Sequence, residues 1–464
     1  MRSLPKIGVL ALALQLYDTS YPGLKEGRVA FLSRLLESVT ETAEFIFPGA
    51  CNTREQVELT VKMFEQQEAD ALLVVCLTYS PSLISLPALK KTRLPIIIWN
   101  TQEAYEVGEQ AGPEILLENQ GVHGVQDLCS VLGRSGVKYR VITGHSTDSE
   151  MLEELKASFR AAAAVGAVSR SRVGLLGYAM QDMGDFNVDE TRLTAQTGAS
   201  VVHIPVDELA DLSLQADEAE LAKIMEYDRN HFALSTGIHP EEHTASACME
   251  WALRNLLSRY RLNAWTQHFG ALEACDRIPT MPFLAASKLM GEGIPYAGEG
   301  DVCGAVSGIL LQALTGNSAF VETFTMDFAD QAMVLRHMGE ANITMARKDS
   351  PVRIISRINK LSRKLSPLVP VIALEPGEAT LVSLCTGPEG GLQLVACRGE
   401  VLDKPVNEGL NAPNCKWKPA AGLKEFLNAY TYAGGSHHQA LGYGNLTESL
   451  KVFADMADLR LICL

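Results

Sequence analysis

Residues 71–77 read Ala-Leu-Leu-Val-Val-Cys-Leu, and residues 7–14 read Ile-Gly-Val-Leu-Ala-Leu-Ala-Leu. Neither run alternates apolar with polar, as a strand with one wet face would. Continuous apolar runs of this length are strands buried on both faces, the mark of a parallel sheet covered by helices. The first third of the chain keeps this pattern. Strands are expected at 7–14, 43–47, 71–77 and 95–99, with helices at 25–40, 53–67 and 82–91. Asn52 and Thr53 supply a cap for the second of these helices, and Glu55 suits its first turn. In such sheets ligands bind beyond the carboxyl ends of the strands. Gln15, Tyr79, Ser80, Asn100, Thr101 and Gln102 all follow strand ends and are expected to line one crevice.

A second alternating unit follows, with strands at 138–142, 171–177 and 200–204 and helices at 149–165, 218–227, 239–260 and 282–291. The last 150 or so residues change character. Strand-like runs at 368–374, 378–385 and 392–401 predict antiparallel pairing, with a hairpin turn at Pro388–Gly391. The expected fold is α/β: two doubly wound parallel-sheet domains plus a C-terminal mainly antiparallel β domain. The expected domain bounds are 1–170, 171–312 and 313–464.

Composition limits the function. A chain of 464 residues exceeds one core, and 47% hydrophobic with 20% charged residues is an ordinary globular balance. The net charge of −15 repels phosphate backbones, so neither nucleic acid nor an anionic membrane is an expected partner. The apolar start after Met1-Arg2-Ser3-Leu4-Pro5-Lys6 could pass for a signal peptide, but it reads better as the first strand. No stretch approaches the roughly 20 apolar residues of a membrane span. Ten cysteines without a CxxC pair, several inside apolar runs, point to free thiols and a cytoplasmic location.

The usual nucleotide signals, GxGxxG and GxxxxGK[ST], are missing, so no nucleotide cofactor is expected. His239-Pro240-Glu241-Glu242-His243 has the spacing of an inverted zinc-peptidase motif. Pro240, however, marks a first helical turn, which leaves His239 outside the helix and out of line with His243. A second set is more telling. Glu299 lies between two glycines in Gly298-Glu299-Gly300-Asp301, where backbone can approach a ligand closely. Glu322 sits in the apolar Phe320-Val321-Glu322-Thr323-Phe324, where a lone carboxylate is costly unless paired, protonated or metal-bound. His337 follows, then Gly434-Gly435-Ser436-His437-His438. Two Glu and two His suit Mn²⁺, Co²⁺, Fe²⁺ or Zn²⁺.

The order Gly-Glu-Gly-Asp, Phe-x-Glu, His-Met, Gly-Gly-x-His-His resembles the L-arabinose isomerases of the fucose/arabinose isomerase superfamily. Gln15-Leu16-Tyr17, Thr78-Tyr79-Ser80-Pro81, Thr101-Gln102, Asn119-Gln120-Gly121-Val122-His123-Gly124 and Gly144-His145 extend the likeness through nearly the whole chain. The resemblance implies metal ligands at Glu299, Glu322, His337 and His438, with Glu299 and Glu322 also the acid/base pair. It implies that Gln15, His123 and Met180 line the sugar site, with His123 reaching in from the first domain. His437 receives no ligand role, only a supporting one, and His145 reads as a satisfied strand-end histidine. The implied cofactor is a divalent metal, Mn²⁺ foremost, and the implied assembly is a homo-oligomer, hexamer or tetramer. Departures at Thr323, Gln181 and Asp182 leave the metal tetrad whole and change the sugar shell. The expected activity is thus a metal-dependent aldose–ketose isomerisation through a cis-enediol, on a sugar that need not be arabinose. Two rivals compete with it: a non-catalytic sugar-binding or regulatory relative, and a racemase or lyase using Cys76 as nucleophile.

Overall fold

The computed structural model describes residues 4–358 and 364–464; the first three residues of the basic start lie outside it. The chain divides into two compact units, Met1–Gly166 and Ala167–Leu464.

In the first unit the strands Glu44–Ile46, Lys6–Leu12, Ala71–Cys76, Ile96–Asn100 and Arg140–Thr143 lie side by side in that order, all parallel. The two-residue strand Ala50–Cys51 extends the edge beside Glu44–Ile46. Leaving that short piece aside, the order is 2-1-3-4-5, one of the two doubly wound arrangements. Every residue of Ala71–Cys76 is buried, as the unbroken apolar run requires. The core gathers Leu10, Leu72, Val74 and Ile98 from the sheet with Val57, Val61 and Phe64 from the helix Arg54–Gln66. Each such side chain contributes about 1.5–3 kcal/mol by leaving water. Thr53 caps that helix, accepting from the Gln56 amide. The stretch 82–91 splits into a 3₁₀ turn, Ser82–Ile84, and a short helix, Leu86–Lys91. Pro87 has no amide proton, so it suits a new helix start better than the interior of a longer one.

The second unit begins with four parallel strands in the order Tyr296–Ala297, Ala264–Gln267, Arg172–Leu176, Ser200–Ile204. The sheet that follows has seven strands. Gly377–Thr386, His438–Tyr443, Ala319–Asp327, Ala332–Arg336, Cys415–Pro419 and Leu392–Val401 pair in sequence, all antiparallel. Gly377–Thr386 then pairs with Leu392–Val401, so six strands close into a ring around Trp417, Leu381 and Leu441. Arg460–Cys463 joins outside, parallel to Leu392–Val401. The expected hairpin holds, with Thr386 opposite Leu392. The helix Val302–Thr315 packs on both sheets and is buried nearly all round, as its almost wholly apolar sequence demands. Through it the ends of Tyr296–Ala297 and His438–Tyr443 are brought together.

The His239–His243 segment starts a helix. Pro240 is its first residue, His239 is the N-cap, and the Glu242 carboxylate accepts from the His239 amide. His243 is committed elsewhere, bonded through Nε2 to the buried Asp228 at 3.0 Å. Among the described residues no helix is long and apolar enough to cross a membrane.

Candidate active site

The site of the second unit is built around a strained carboxylate. Glu299 has φ +61°, a left-handed conformation that costs a non-glycine residue of the order of 1 kcal/mol. Its neighbours hold it there. The Met180 amide donates to the Glu299 carbonyl at 2.8 Å, Gly300 N–H to Gln267 O at 3.0 Å, and Asp301 N–H to Gly298 O at 2.9 Å. The glycines on each side are needed for close approach. A Cβ on Gly300, itself at φ +80°, would come within 2.5 Å of the Ala179 backbone. One on Gly298 would stand 2.5 Å from the His337 ring.

The barrel supplies the rest. Glu322 stands directly opposite His438 across the pair Ala319–Asp327 and His438–Tyr443, so both side chains leave the same face. Phe320, two residues earlier on that face, has ring contacts with His337 and His438 at 4.8 and 5.0 Å. The His337 and His438 rings meet edge to face at 5.5 Å. His438 follows a helix end at Gly434, whose left-handed conformation turns the chain back into the sheet.

Three histidines share one arrangement. His337 Nδ1 donates to Glu340 at 2.6 Å, His438 Nδ1 to Asp301 at 3.2 Å, and His437 Nδ1 to Asp185 at 2.7 Å. A carboxylate accepts, so each ring carries its proton on Nδ1 and is left with Nε2 as the second nitrogen. Metal-binding histidines are oriented by this device. Burial opposes charge on His337 and Glu340 alike, and their mutual attraction outweighs it, holding the imidazole above its usual range and the carboxyl below. Glu299 Oε2 and His438 Nε2 are both buried and both lack a hydrogen-bond partner among the described residues, although they lie only 3.7 Å apart. Such orphaned atoms are expensive unless something bridges them. Glu299, His437 and His438 offer ligand atoms within 4.8 Å of one another. Hard oxygen and imidazole nitrogen, with no thiolate, fit a divalent first-row cation.

A cavity of about 280 Å³ opens beside these groups, lined by Glu299, His337, Gln267, Tyr296 and the apolar Phe269, Met281, Phe283 and Met338. The residues singled out in the sequence therefore divide. Glu299 and His438 come within ligand distance together with His437, Glu299 and His337 line the cavity, Glu322 faces His438 from the neighbouring strand, and Met180 is tied to Glu299 through its amide. Gln15 and His123 are exposed residues of the first unit. There Asn100, Thr101 and Gln102 line a separate hollow of about 320 Å³ with His145, whose two nitrogens are both engaged, by Thr147 and Glu103. Cys76 is buried, and burial pushes its thiol up to about 12, which leaves no thiolate for catalysis. Sequence reading missed Asp185, Gln267 and Glu340. Glu340 stands one helical turn's spacing from His337, whereas nothing in the sequence links Asp185 to a histidine some 250 positions on.

Comparison with known proteins agrees with this architecture. Residues 26–170, 172–316 and 317–460 match, in turn, the family models for the N-terminal, central and C-terminal domains of L-arabinose isomerase. The L-arabinose isomerase of Nocardioides sp. (strain JS614) is 27% identical over 406 residues, covering 83% of this chain and 78% of the relative. That of Herpetosiphon aurantiacus is 24% identical over 439 residues, covering 91% and 86%. That of Thermotoga neapolitana is 25% identical over 444 residues, covering 92% and 88%. Three consecutive domain matches of this extent define an aldose–ketose isomerase, an intramolecular oxidoreductase. The chain belongs to the L-arabinose isomerase family.

Proposed function

We propose that the protein is a divalent-metal-dependent aldose–ketose isomerase, and that Glu299, Glu322, His337 and His438 form its metal and proton-transfer site. The observation that carries this is a pair of buried atoms without hydrogen-bond partners among the described residues, Glu299 Oε2 and His438 Nε2, facing each other at 3.7 Å. Held by these residues, a divalent cation such as Mn²⁺ would supply Lewis acidity to an open-chain sugar. Asp301 and Glu340 keep the His438 and His337 rings oriented, so that little reorganisation accompanies reaction. Glu299 and Glu322 are the bases in reach: one removes the C2 proton and one returns a proton to C1, passing through a cis-enediol. The apolar wall of Phe269, Met281, Phe283 and Met338 keeps water from the exchanging proton. His437 is a further nitrogen donor beside Glu299, which the tetrad alone would omit.

The reading extends to the setting. Thr323 spends its hydroxyl on Gln439 at 2.9 Å, while Gln181 and Asp182 are exposed, and these departures favour a sugar other than L-arabinose. Ten free cysteines suit the reducing cytoplasm, and a homo-oligomer, hexamer or tetramer, would complete the sugar site with Gln15 and His123. The test is metal content of the purified protein, then a sugar panel assayed with and without Mn²⁺ after EDTA treatment. Near-stoichiometric metal and metal-restored ketose formation are expected, with Glu322→Gln folded and inactive. A fully active Glu322→Gln protein would end the proton-transfer assignment, and failure to bind any cation would end the metal assignment.

A further inference from the structure

In a chain with 55 acidic and 40 basic residues, arginines usually find carboxylates. Arg254 has Glu250 and Glu292, Arg347 has Asp349 and Asp403, and Arg277 has Asp207 and Asp211. Two half-buried arginines of the second unit are exceptions. Arg336 ends the strand Ala332–Arg336 and stands directly opposite Glu322, which stands directly opposite His438. Arg336, Glu322 and His438 thus form a row across three strands, and the Arg336 and His438 backbones lie two strand spacings apart, roughly 10 Å. The Arg336 guanidinium lies over the Phe324 ring at 4.8 Å, and its Nε donates to the His337 carbonyl at 3.3 Å. Arg357 follows the strand Arg353–Ser356, its amide bonded to Pro367 O. Among the described residues neither guanidinium has a carboxylate within ion-pair distance.

Their surroundings make this costly. Burial disfavours the charge on both; Glu322 and then Glu340 attract Arg336, whereas Arg357 feels the repulsion of Arg336 ahead of the attraction of Glu340. Ile355, two residues before Arg357, pairs with Val369, whose side chain lies against Gly339, two residues past His337, so both cations belong to the side of the barrel that carries His337. A half-buried guanidinium pair whose planar donor forks meet no carboxylate at ion-pair distance among the described residues can take an oxyanion from outside. The net negative charge of the chain gives no general attraction for such a ligand, so recognition has to be local.

We propose that Arg336 and Arg357 form an anion subsite beside the isomerase site, and that the substrate is an aldose carrying an oxyanion at the end remote from its carbonyl. This rests on the isomerase reading above, with C1 and C2 near Glu322 and His438 and the far end of the sugar toward Arg336. The chemistry required is common to carboxylate, phosphate and sulfonate.

The test compares sugars of equal configuration on the metal-loaded, full-length protein: galactose with galacturonate, glucose with glucuronate, mannose with mannuronate, and each hexose with its 6-phosphate and 6-sulfonate. In at least one pair kcat/KM should favour the anionic member by about tenfold or more, the value of one charged hydrogen bond. The uronate, phosphate and sulfonate arms then identify the anion. Arg336→Gln and Arg357→Gln should each remove most of that preference, and Arg336→Lys should keep part of it. Equal or better turnover of the neutral member in every pair would overturn the subsite and leave the isomerase reading standing, as would a preference that survives both Gln substitutions. If no sugar is turned over, the isomerase reading falls, and calorimetric binding of the same uronates decides the subsite by itself. Salt-sensitive binding lost on Arg357→Gln upholds it, whereas absent or unaltered binding overturns it.

Discussion

Replacing Gly298 by alanine perturbs the site with one methyl group. Gly298 does not need a left-handed conformation, so the substitution adds no backbone strain of the kind it would at Gly300. The added Cβ would stand 2.5 Å from His337 Cε1 and 2.9 Å from Nε2. The ring must retreat by about 0.9 Å to reach ordinary contact near 3.4 Å. The backbone cannot retreat in its place, because Gly298 O accepts from both Thr266 Oγ1 at 3.2 Å and Asp301 N–H at 2.9 Å. The ring is pinned from behind by Glu340 at 2.6 Å, and Glu340 by the Gly339 amide at 2.8 Å. A displacement of that size exceeds the ~0.2 Å tolerance of a metal–ligand distance and the ~0.5 Å tolerance of a productive site. Metal affinity should fall about 10–100-fold and kcat/KM about 100-fold. Overpacking costs about 1–3 kcal/mol, so the protein should still fold, with Tm lowered by several degrees. Metal titration, steady-state kinetics and thermal unfolding read the three effects separately. Gly316→Ala is the control: φ is +81° but the site is open, so it should lose about 1 kcal/mol and no metal. If Gly298→Ala binds metal and turns over sugar within about twofold of the parent, His337 is not where the mechanism needs it.

Asp301 both orients His438 and caps the helix Val302–Thr315 through the Gly304 amide. Asp301→Asn should weaken metal binding about 10–100-fold with little loss of stability, since asparagine caps as well as aspartate; Asp301→Ala should lose about 1 kcal/mol in addition. In metal-free protein, the hydrogen bond from His437 to Asp185 holds the imidazole above its usual 6.5. Asp185 is raised by burial, but the bonds from His437 and Ser436 outweigh this and hold it well below 3.8. The histidine part of the stabilisation is whole below 6.5 and fades as pH rises through the raised value; the aspartate part is whole above 3.8 and fades as pH falls through the lowered one. The stability lost on Asp185→Asn should therefore peak between about pH 4 and 6.5 in urea unfolding, and a difference that grows toward pH 8 would contradict the pairing. Cys76, with its thiol near 12, should resist iodoacetamide in the native protein at about pH 8 without loss of activity. Inactivation that tracks Cys76 labelling would revive the thiol mechanism.

The parallel sheets were legible because burial on both faces leaves an unbroken signal, as in Ala71–Cys76. The turn at Pro388–Gly391 was legible because only a few residue types suit it. The closing of the barrel was not, since the pairing of Gly377–Thr386 with both His438–Tyr443 and Leu392–Val401 depends on curvature that no local pattern encodes. The site divides along the same line. Glu299 showed because Gly298 and Gly300 are needed beside it, and His438 because a glycine pair turns the chain into its strand. Asp185 and Gln267 have no local signature; their value comes from contacts across the fold. Arg336 also went unremarked, although it adjoins His337, because an arginine next to a candidate ligand reads as an ordinary surface charge until its partners are counted.

The three Nδ1–carboxylate bonds bear on why the site stays open. A free imidazole beside Glu299 would rotate and donate to the carboxylate, satisfying Oε2 and closing the gap. With Asp301 holding the proton on Nδ1 of His438, Nε2 has only a lone pair to present, and two acceptors at 3.7 Å cannot bond each other. Glu340 and Asp185 hold Nδ1 of His337 and His437 in the same way, but they also favour a second proton on those rings. Asp301 behind the His438 ring thus keeps an acceptor facing an acceptor, an arrangement that a cation would relieve and a proton only in part. Removing one such carboxylate should consequently let the site collapse toward Glu299, so the weaker metal binding of Asp301→Asn should be accompanied by a new His438–Glu299 hydrogen bond rather than by disorder.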